Sequence, residues 1–338
     1  MRIPSHKDAY QVLLLRAADE GRGEVLFGDS LAQARTAPQP FLVGEIFPIV
    51  YFEHPLIGEP SLDVSVGCNE YALGTRIASP AAAGSEDMID WLASIHDAYP
   101  DTGCGFELDT KRPELPRAAV HFQPRQHLEL VKLFFEAVGE PERAQLYLDL
   151  AARMPQGWPL SFFGMFRGRP GFPLRVCGYL SKGERVECAA NPQHIADIFD
   201  EVGFSDYDDE MLAQVSALIQ AAPGSVDFQF DVFPDGSIGS TFAIDVQFKV
   251  ALPAAVRKTF SEGAGARFMG LLENMGAADG RWRRSIAASF ARSIPVELDD
   301  GSQGRYAYII APHWVKARWT SGVIQPSKMY LIVHGGLL

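Results

Sequence analysis

The stretch from Ser225 to Lys249, SVDFQFDVFPDGSIGSTFAIDVQFK, alternates apolar and polar side chains around a turn. Val226, Phe228, Phe230 and Val232 share one face of the first arm, and Asp227, Gln229 and Asp231 the other. Pro234-Asp235-Gly236 supplies the turn, because proline presets φ and glycine tolerates positive φ. On the return arm Phe242, Ile244, Val246 and Phe248 oppose Ala243, Asp245, Gln247 and Lys249, so the segment reads as an antiparallel hairpin.

The same reading repeats along the chain. Leu62, Val64 and Val66 alternate with Asp63, Ser65 and Gly67, with a second arm expected over Ala72–Ile77 that points Arg76 inward. Gly105–Asp109, carrying Glu107 and Asp109, returns through Arg117–Gln123 and turns Ala119, His121 and Gln123 away from Ala118, Val120 and Phe122. Ser161–Arg167 returns through Leu174–Leu180, placing Arg175, Cys177 and Tyr179 on the polar face. The last pair runs over Tyr306–Trp319 and Lys328–His334, with Lys328 and Tyr330 on that face. Between hairpins the period becomes helical: 84–99, His127–Met154 broken at Gly139-Glu140-Pro141, Pro192–Val202, Asp208–Ala222, Pro253–Phe260 and Ala266–Met275. The Asp206–Glu210 cluster reads as a helix N-terminus, where negative charge meets the macrodipole.

Helices after almost every hairpin need an apolar sheet face to cover, which leaves the polar face for the inside. Five hairpins supply ten antiparallel strands, enough to close a barrel without free edges. The expected fold is therefore α+β: a ten-stranded antiparallel barrel ringed by helices around a solvent-filled, polar-lined chamber. No linker divides the 338 residues, so one domain is expected over 1–338, with 1–50 as a helical or extended lead-in.

Composition narrows the function classes. A formal net charge of −12 disfavours nucleic acid or an anionic membrane as partner and favours a neutral or cationic one. Cys68, Cys104, Cys177 and Cys188 form no CxxC pair and read as reduced thiols of a cytoplasmic protein. No apolar run approaches the roughly 20 residues that span a bilayer, and the N-terminus lacks a signal-peptide pattern.

Hairpin-plus-helix units in this number and order, from about residue 50 onward, resemble the aromatic prenyltransferase barrel, which includes indole prenyltransferases and the peptide prenyltransferases of cyanobactin pathways. Gly58-Glu59-Pro60-Ser61-Leu62-Asp63-Val64-Ser65 is similar to the family's first-strand segment, and the resemblance puts the acidic general base at Asp63. Arg76 resembles a diphosphate ligand, Arg175-Val176-Cys177-Gly178-Tyr179 the Arg-x-Lys-x-Tyr strand, and Ala119-Val120-His121-Phe122 the Lys-x-Tyr-Phe strand. Two diphosphate lysines of the family fall at Ala119 and Cys177, and a shielding tyrosine at His121. Ala243 and Asp245 stand where another cation or tyrosine is expected.

Prenyl transfer needs cations for the diphosphate, π-rich walls for the allylic cation, and a base for the acceptor proton. Arg76, Arg175 and Lys328 fit the first need, Tyr179 and Tyr330 the second and Asp63 the third, with His121 as a further acid, base or ligand. Glu107, Asp109, Asp227, Asp231 and Asp245, with Gln229 and Gln247, also line the expected chamber, and unpaired carboxylates repel a diphosphate. A Mg²⁺ between aspartates and diphosphate would reconcile them; otherwise no cofactor is required. The same residues carry plainer readings: Asp63 as a cap or an arginine partner, Arg76 and Arg175 in ion pairs, His121 as a structural histidine, Cys177 as a small buried residue, Tyr179 and Tyr330 as packing, and 167–169 as a solvated turn. Three functions stay open. The first is prenylation of an aromatic or ribosomal-peptide side chain. The second is peptide maturation on the same fold without a prenyl donor, for example a thioether-forming cyclase. The third is a leader-peptide-binding partner that presents a precursor peptide to another enzyme.

Overall fold

The computed structural model describes residues 27–29, 32, 49–68, 91, 94–95, 98–99, 102–108, 119–124, 127–155, 160–166, 169–248, 253–297 and 301–337. Its strands are β1 (Ile49–Pro55), β2 (Asp63–Cys68), β3 (Gly103–Leu108), β4 (Ala119–Gln123), β5 (Leu160–Met165), β6 (Leu174–Tyr179), β7 (Val226–Val232), β8 (Ile238–Gln247), β9 (Phe290–Glu297), β10 (Gln303–Thr320), β11 (Val323–Ile324) and β12 (Lys328–Leu337). The helices are α1 (Glu129–Ala137), α2 (Arg143–Arg153), α3 (Lys182–Ala190), α4 (Pro192–Val202), α5 (Asp209–Ala221), α6 (Pro253–Ser261), α7 (Ala264–Asn274) and α8 (Trp282–Ala287).

Ladders run β10-β12-β1-β2-β3-β4-β5-β6-β7-β8, and β8 pairs back onto β10, closing a ten-stranded ring. Every pairing around it is antiparallel. The seam is made by the long strand β10. Its Gln303–Ile310 half pairs with β9, and its Trp314–Thr320 half pairs with β8. A register shift between Pro312 and Trp314 marks the change of partner. Proline donates no ladder hydrogen bond, so it is tolerated at such an irregularity.

One expectation is corrected. Asp63 lies on the second strand of the first hairpin, not the first: Glu53 of β1 faces Asp63 of β2, and β2 pairs directly with β3. Both ladder edges of β2 are thus occupied, by β1 and β3. The arm expected over Ala72–Ile77, with Arg76, lies outside the described residues, as do Asp109, Lys249, Arg167 and most of the helix expected over 84–99. β9, α3 and α8 are further elements that periodicity did not announce.

The expected polarity holds. Val64, Val66, Phe106, Phe122, Phe163, Val176, Phe228, Phe242, Ile244 and Val333 point outward and are fully buried under the helices. Phe122 stacks on Phe134 of α1 with ring centroids 4.9 Å apart, and Phe199 of α4 meets Phe242 edge-on at 4.7 Å. Burying each such side chain is worth about 1.5–3 kcal/mol. This outer layer is the hydrophobic core, so the inner face is free to be polar.

Candidate active site in the barrel lumen

Strand register brings the alternating polar residues into one interior. Most of its charges are paired with other lumenal groups, and about 500 Å³ of space, part of it continuous with bulk solvent, opens beside them. Arg175 and Asp231 are register partners on β6 and β7. The guanidinium donates to both carboxylate oxygens, Nε to Oδ1 at 2.8 Å and Nη2 to Oδ2 at 2.9 Å. Glu107 accepts from Arg169 Nη2 at 2.9 Å on one oxygen and contacts His121 Nε2 at 3.2 Å on the other. Burial pushes the Glu107 carboxyl up, but these partners outweigh it and hold it well below the usual range. Lys328 donates to Glu53 and, at 3.3 Å, to Asp63. For Glu53, burial again acts upward and the Lys328 ammonium outweighs it, leaving a lowered pKa.

A second acidic group lies between β7, β8 and β10. Asp227 and Asp245 face each other in register, and Gln229 Nε2 donates to Asp245 Oδ2 at 2.5 Å and to Asp227 Oδ1 at 3.4 Å. Lys316 Nζ sits 3.6 Å from Asp245. Burial first, then the neighbouring Asp245 charge, raises the Asp227 pKa well above normal. Cys177, fully buried, is raised by the same desolvation and by Asp227, so its thiol stays protonated.

Aromatic walls complete the interior. Tyr51, His313 and Trp314 form one cluster, with Tyr51–Trp314 centroids at 5.0 Å, and Tyr330 adjoins Trp314 at 6.3 Å. Phe162 and Phe166 flank His121 at 5.5 and 5.6 Å. The Arg169 and Arg175 guanidiniums lie 3.8 and 4.6 Å from the Phe166 ring centre.

Among the described residues, seven buried side-chain N or O atoms lack a hydrogen-bond partner. Five belong to the lumen: Glu53 Oε2, His121 Nδ1, Gln229 Oε1, Asp245 Oδ1 and Arg318 Nε. Arg318 also has no ion-pair partner among the described residues and borders the open space together with Arg169 and Arg175. Burial, then the nearby Arg175 and Arg169 charges, lowers its pKa. Such a cation favours an anion beside it.

Of the residues singled out from sequence, Asp63, Glu107, His121, Arg175, Cys177, Asp227, Gln229, Asp231, Asp245, Lys328 and Tyr330 sit on lumen-facing positions. Tyr179 and Gln247 face the same interior nearer one end, opposite Asp227 and Trp314 in register; Gln247 lies 3.3 Å from His313. At the 167–169 turn, Arg169 stays one-third exposed, as a solvated turn implies, and also reaches inward to Glu107. Sequence reading missed Glu53, Lys316 and Arg318. For the latter two a signal existed: Trp314, Lys316, Arg318 and Thr320 alternate with buried Val315, Ala317 and Trp319.

No protein-family model and no curated protein matches this sequence. Solved structures do. 5-Dimethylallyltryptophan synthase from Streptomyces coelicolor superposes with a TM-score of 0.53 at 12% identity, over 97% of each chain. Prenyltransferase PriB, in a ternary complex with L-tryptophan and dimethylallyl thiolodiphosphate, gives 0.54 at 13% identity, covering 98% of this chain and 96% of that one. NotF prenyltransferase gives 0.51 at 10% identity over 99% and 96%. At such identities the likeness defines the fold. The chain has the closed ten-stranded antiparallel barrel seen in these aromatic prenyltransferase structures. Among the described residues, no helix is long and apolar enough to cross a membrane.

Proposed function

We propose that the lumen is the active site of an enzyme that transfers an isoprenyl group from a prenyl diphosphate to an aromatic acceptor, free or within a peptide. The observation that carries this reading is Arg318, which among the described residues has a buried, unbonded Nε and no ion-paired carboxylate, and which borders the open space with Arg169 and Arg175. In this reading the three guanidiniums hold the diphosphate, which suits their fork geometry. The Tyr51–Trp314 and Phe162–Phe166 surfaces shield the allylic cation with their π-faces. Asp63 takes the acceptor's proton, with Lys328 between it and Glu53 to stabilise the carboxylate it starts from. The PriB complex with L-tryptophan and a thiolodiphosphate makes an indole acceptor the first to try. Among the described residues, the lumenal carboxylates do not gather three donor atoms close enough to hold one ion. Mg²⁺, where used, would therefore travel mainly on the diphosphate.

A second reading is favoured by a different observation. Arg169, Arg175, Lys316 and Lys328 are each committed to a carboxylate, and Ala119 and Cys177 occupy lysine positions of the resembled family. It is a peptide-maturation enzyme of the same fold that uses no prenyl donor. Mass spectrometry distinguishes the two. Incubation with dimethylallyl or geranyl diphosphate and tryptophan, tyrosine or peptides containing them is expected to add one prenyl group. Asp63→Asn is expected to slow this on the order of 100-fold. A mass-neutral change in a peptide, with no prenyl gain on any acceptor, would select the second reading.

A further inference from the structure

We propose that Glu184, Cys188 and His194 form a metal site on the outer helical coat, with the chemistry of a zinc-type divalent cation. The site is independent of the barrel lumen. Glu184 and Cys188 are four residues apart on α3 and so share one face of that helix. His194 comes from the first turn of α4. Asn191 alone separates the two helices and caps α4 by accepting from the Gln193 amide at 3.1 Å, while Ser181 caps the far end of α3 by accepting from the Glu184 amide at 3.2 Å. Pro192 follows at the first helical position, where its missing N–H costs nothing. These caps set His194 against α3.

The result is one oxygen, one sulfur and one nitrogen donor, all within 4.8 Å of one another. Glu184 Oε2 and His194 Nε2 are 2.7 Å apart, which alone is an ordinary hydrogen bond. The third donor sets the group apart: the Cys188 thiol is fully buried beside both, where an apolar side chain would otherwise complete the core. Carboxylate, imidazole and thiolate are the ligand types that zinc combines, and a three-ligand set leaves a fourth position for water. Glu184 and His194 keep 25% and 28% of their side-chain surface exposed, so an ion can enter from solvent. Burial, then the Glu184 charge, pushes the thiol pKa up to about 12. A cysteine ligand binds as the thiolate, so its proton leaves to buffer when the ion enters.

The test is titration of the full chain, stripped with a chelator, using Co²⁺ and then Zn²⁺. One equivalent of Co²⁺ is expected to bind with a thiolate-to-metal charge-transfer band that Zn²⁺ abolishes. Cys188→Ser is expected to remove the band, and His194→Ala and Glu184→Gln each to weaken Zn²⁺ binding at least about tenfold. Cys104→Ser, in the barrel wall, is expected to change neither. No saturable binding by the wild type, or an unchanged band in Cys188→Ser, overturns the site. Should a variant fail to fold, X-ray absorption of the zinc-loaded wild type decides. A sulfur ligand at about 2.3 Å supports the assignment, and a shell of nitrogen and oxygen alone overturns it.

Discussion

Lys328 shows how single residues hold the lumen together. It is the cation between two carboxylates, one of them, Glu53, 3% exposed. Removing one partner of a buried pair leaves the other desolvated and unpaired, which costs about 3–5 kcal/mol. Lys328→Met is therefore expected to lower the unfolding free energy from urea denaturation by an amount of that order, and Glu53→Gln added to it to recover most of the loss. Equal stability of the single variant and wild type would show that this pair is solvated. His54 makes a separate, pH-dependent prediction. It is fully buried on the outer face of β1, with Nε2 3.0 Å from Ser285 Oγ, and burial lowers its pKa to about 4. The unfolded chain takes up this proton near pH 6.5 and the folded chain only near 4, so stability is lost as pH falls through that window. Between pH 7 and pH 5 the loss from this group is about 2 kcal/mol. Denaturation of wild type and His54→Asn at both pH values is expected to show a smaller pH effect in the variant.

Strand β5 illustrates what one element contributes. Gly164 faces His121 in register, and a Cβ there would come within 2.8 Å of His121 Nδ1. The missing side chain makes room for the imidazole between Phe162 and Phe166. Gly164→Ala is expected to displace His121 from Glu107, seen as altered chemical shifts of the His121 ring with only a modest change in stability. Unchanged shifts would mean that the strand yields instead. β7 was legible because polar and apolar residues alternate strictly along it. β1 was not, since Ile49, Val50, Tyr51 and Phe52 are apolar or aromatic on both faces and only Glu53 marks the inside. The site was legible to the same depth. Alternation placed Arg175 and Asp231 on one face of their strands, but their ion pair depends on β6 lying beside β7 in that register. Arg169 was hidden because it reaches the lumen from a loop, where periodicity says nothing. The caps were plain in sequence: Asp208 accepts from the Met211 amide at 2.8 Å at the start of α5, within the acidic cluster read as a helix N-terminus.

At the scale of the whole molecule, closure makes the interior. The β8–β10 seam joins the last strand of the path to β10, so the polar face has no open edge among the described strands. Amide protons of Ile244, Val246, Val315 and Ala317 are expected to exchange as slowly as those of β6 and β7, measured by hydrogen–deuterium exchange. Fast exchange confined to this seam would reveal an open sheet. A closed barrel with its hydrophobic core on the outside can keep charged groups in its centre, provided each finds a partner, and Arg318 does not find one among the described residues. Calorimetric titration of the wild type and Arg318→Ala with dimethylallyl and geranyl diphosphate tests that point most directly. At least one of the two is expected to bind the wild type one-to-one and to lose at least about tenfold in affinity, near 1.4 kcal/mol, in Arg318→Ala. Absence of binding to both diphosphates, or equal affinity in the variant, would contradict it.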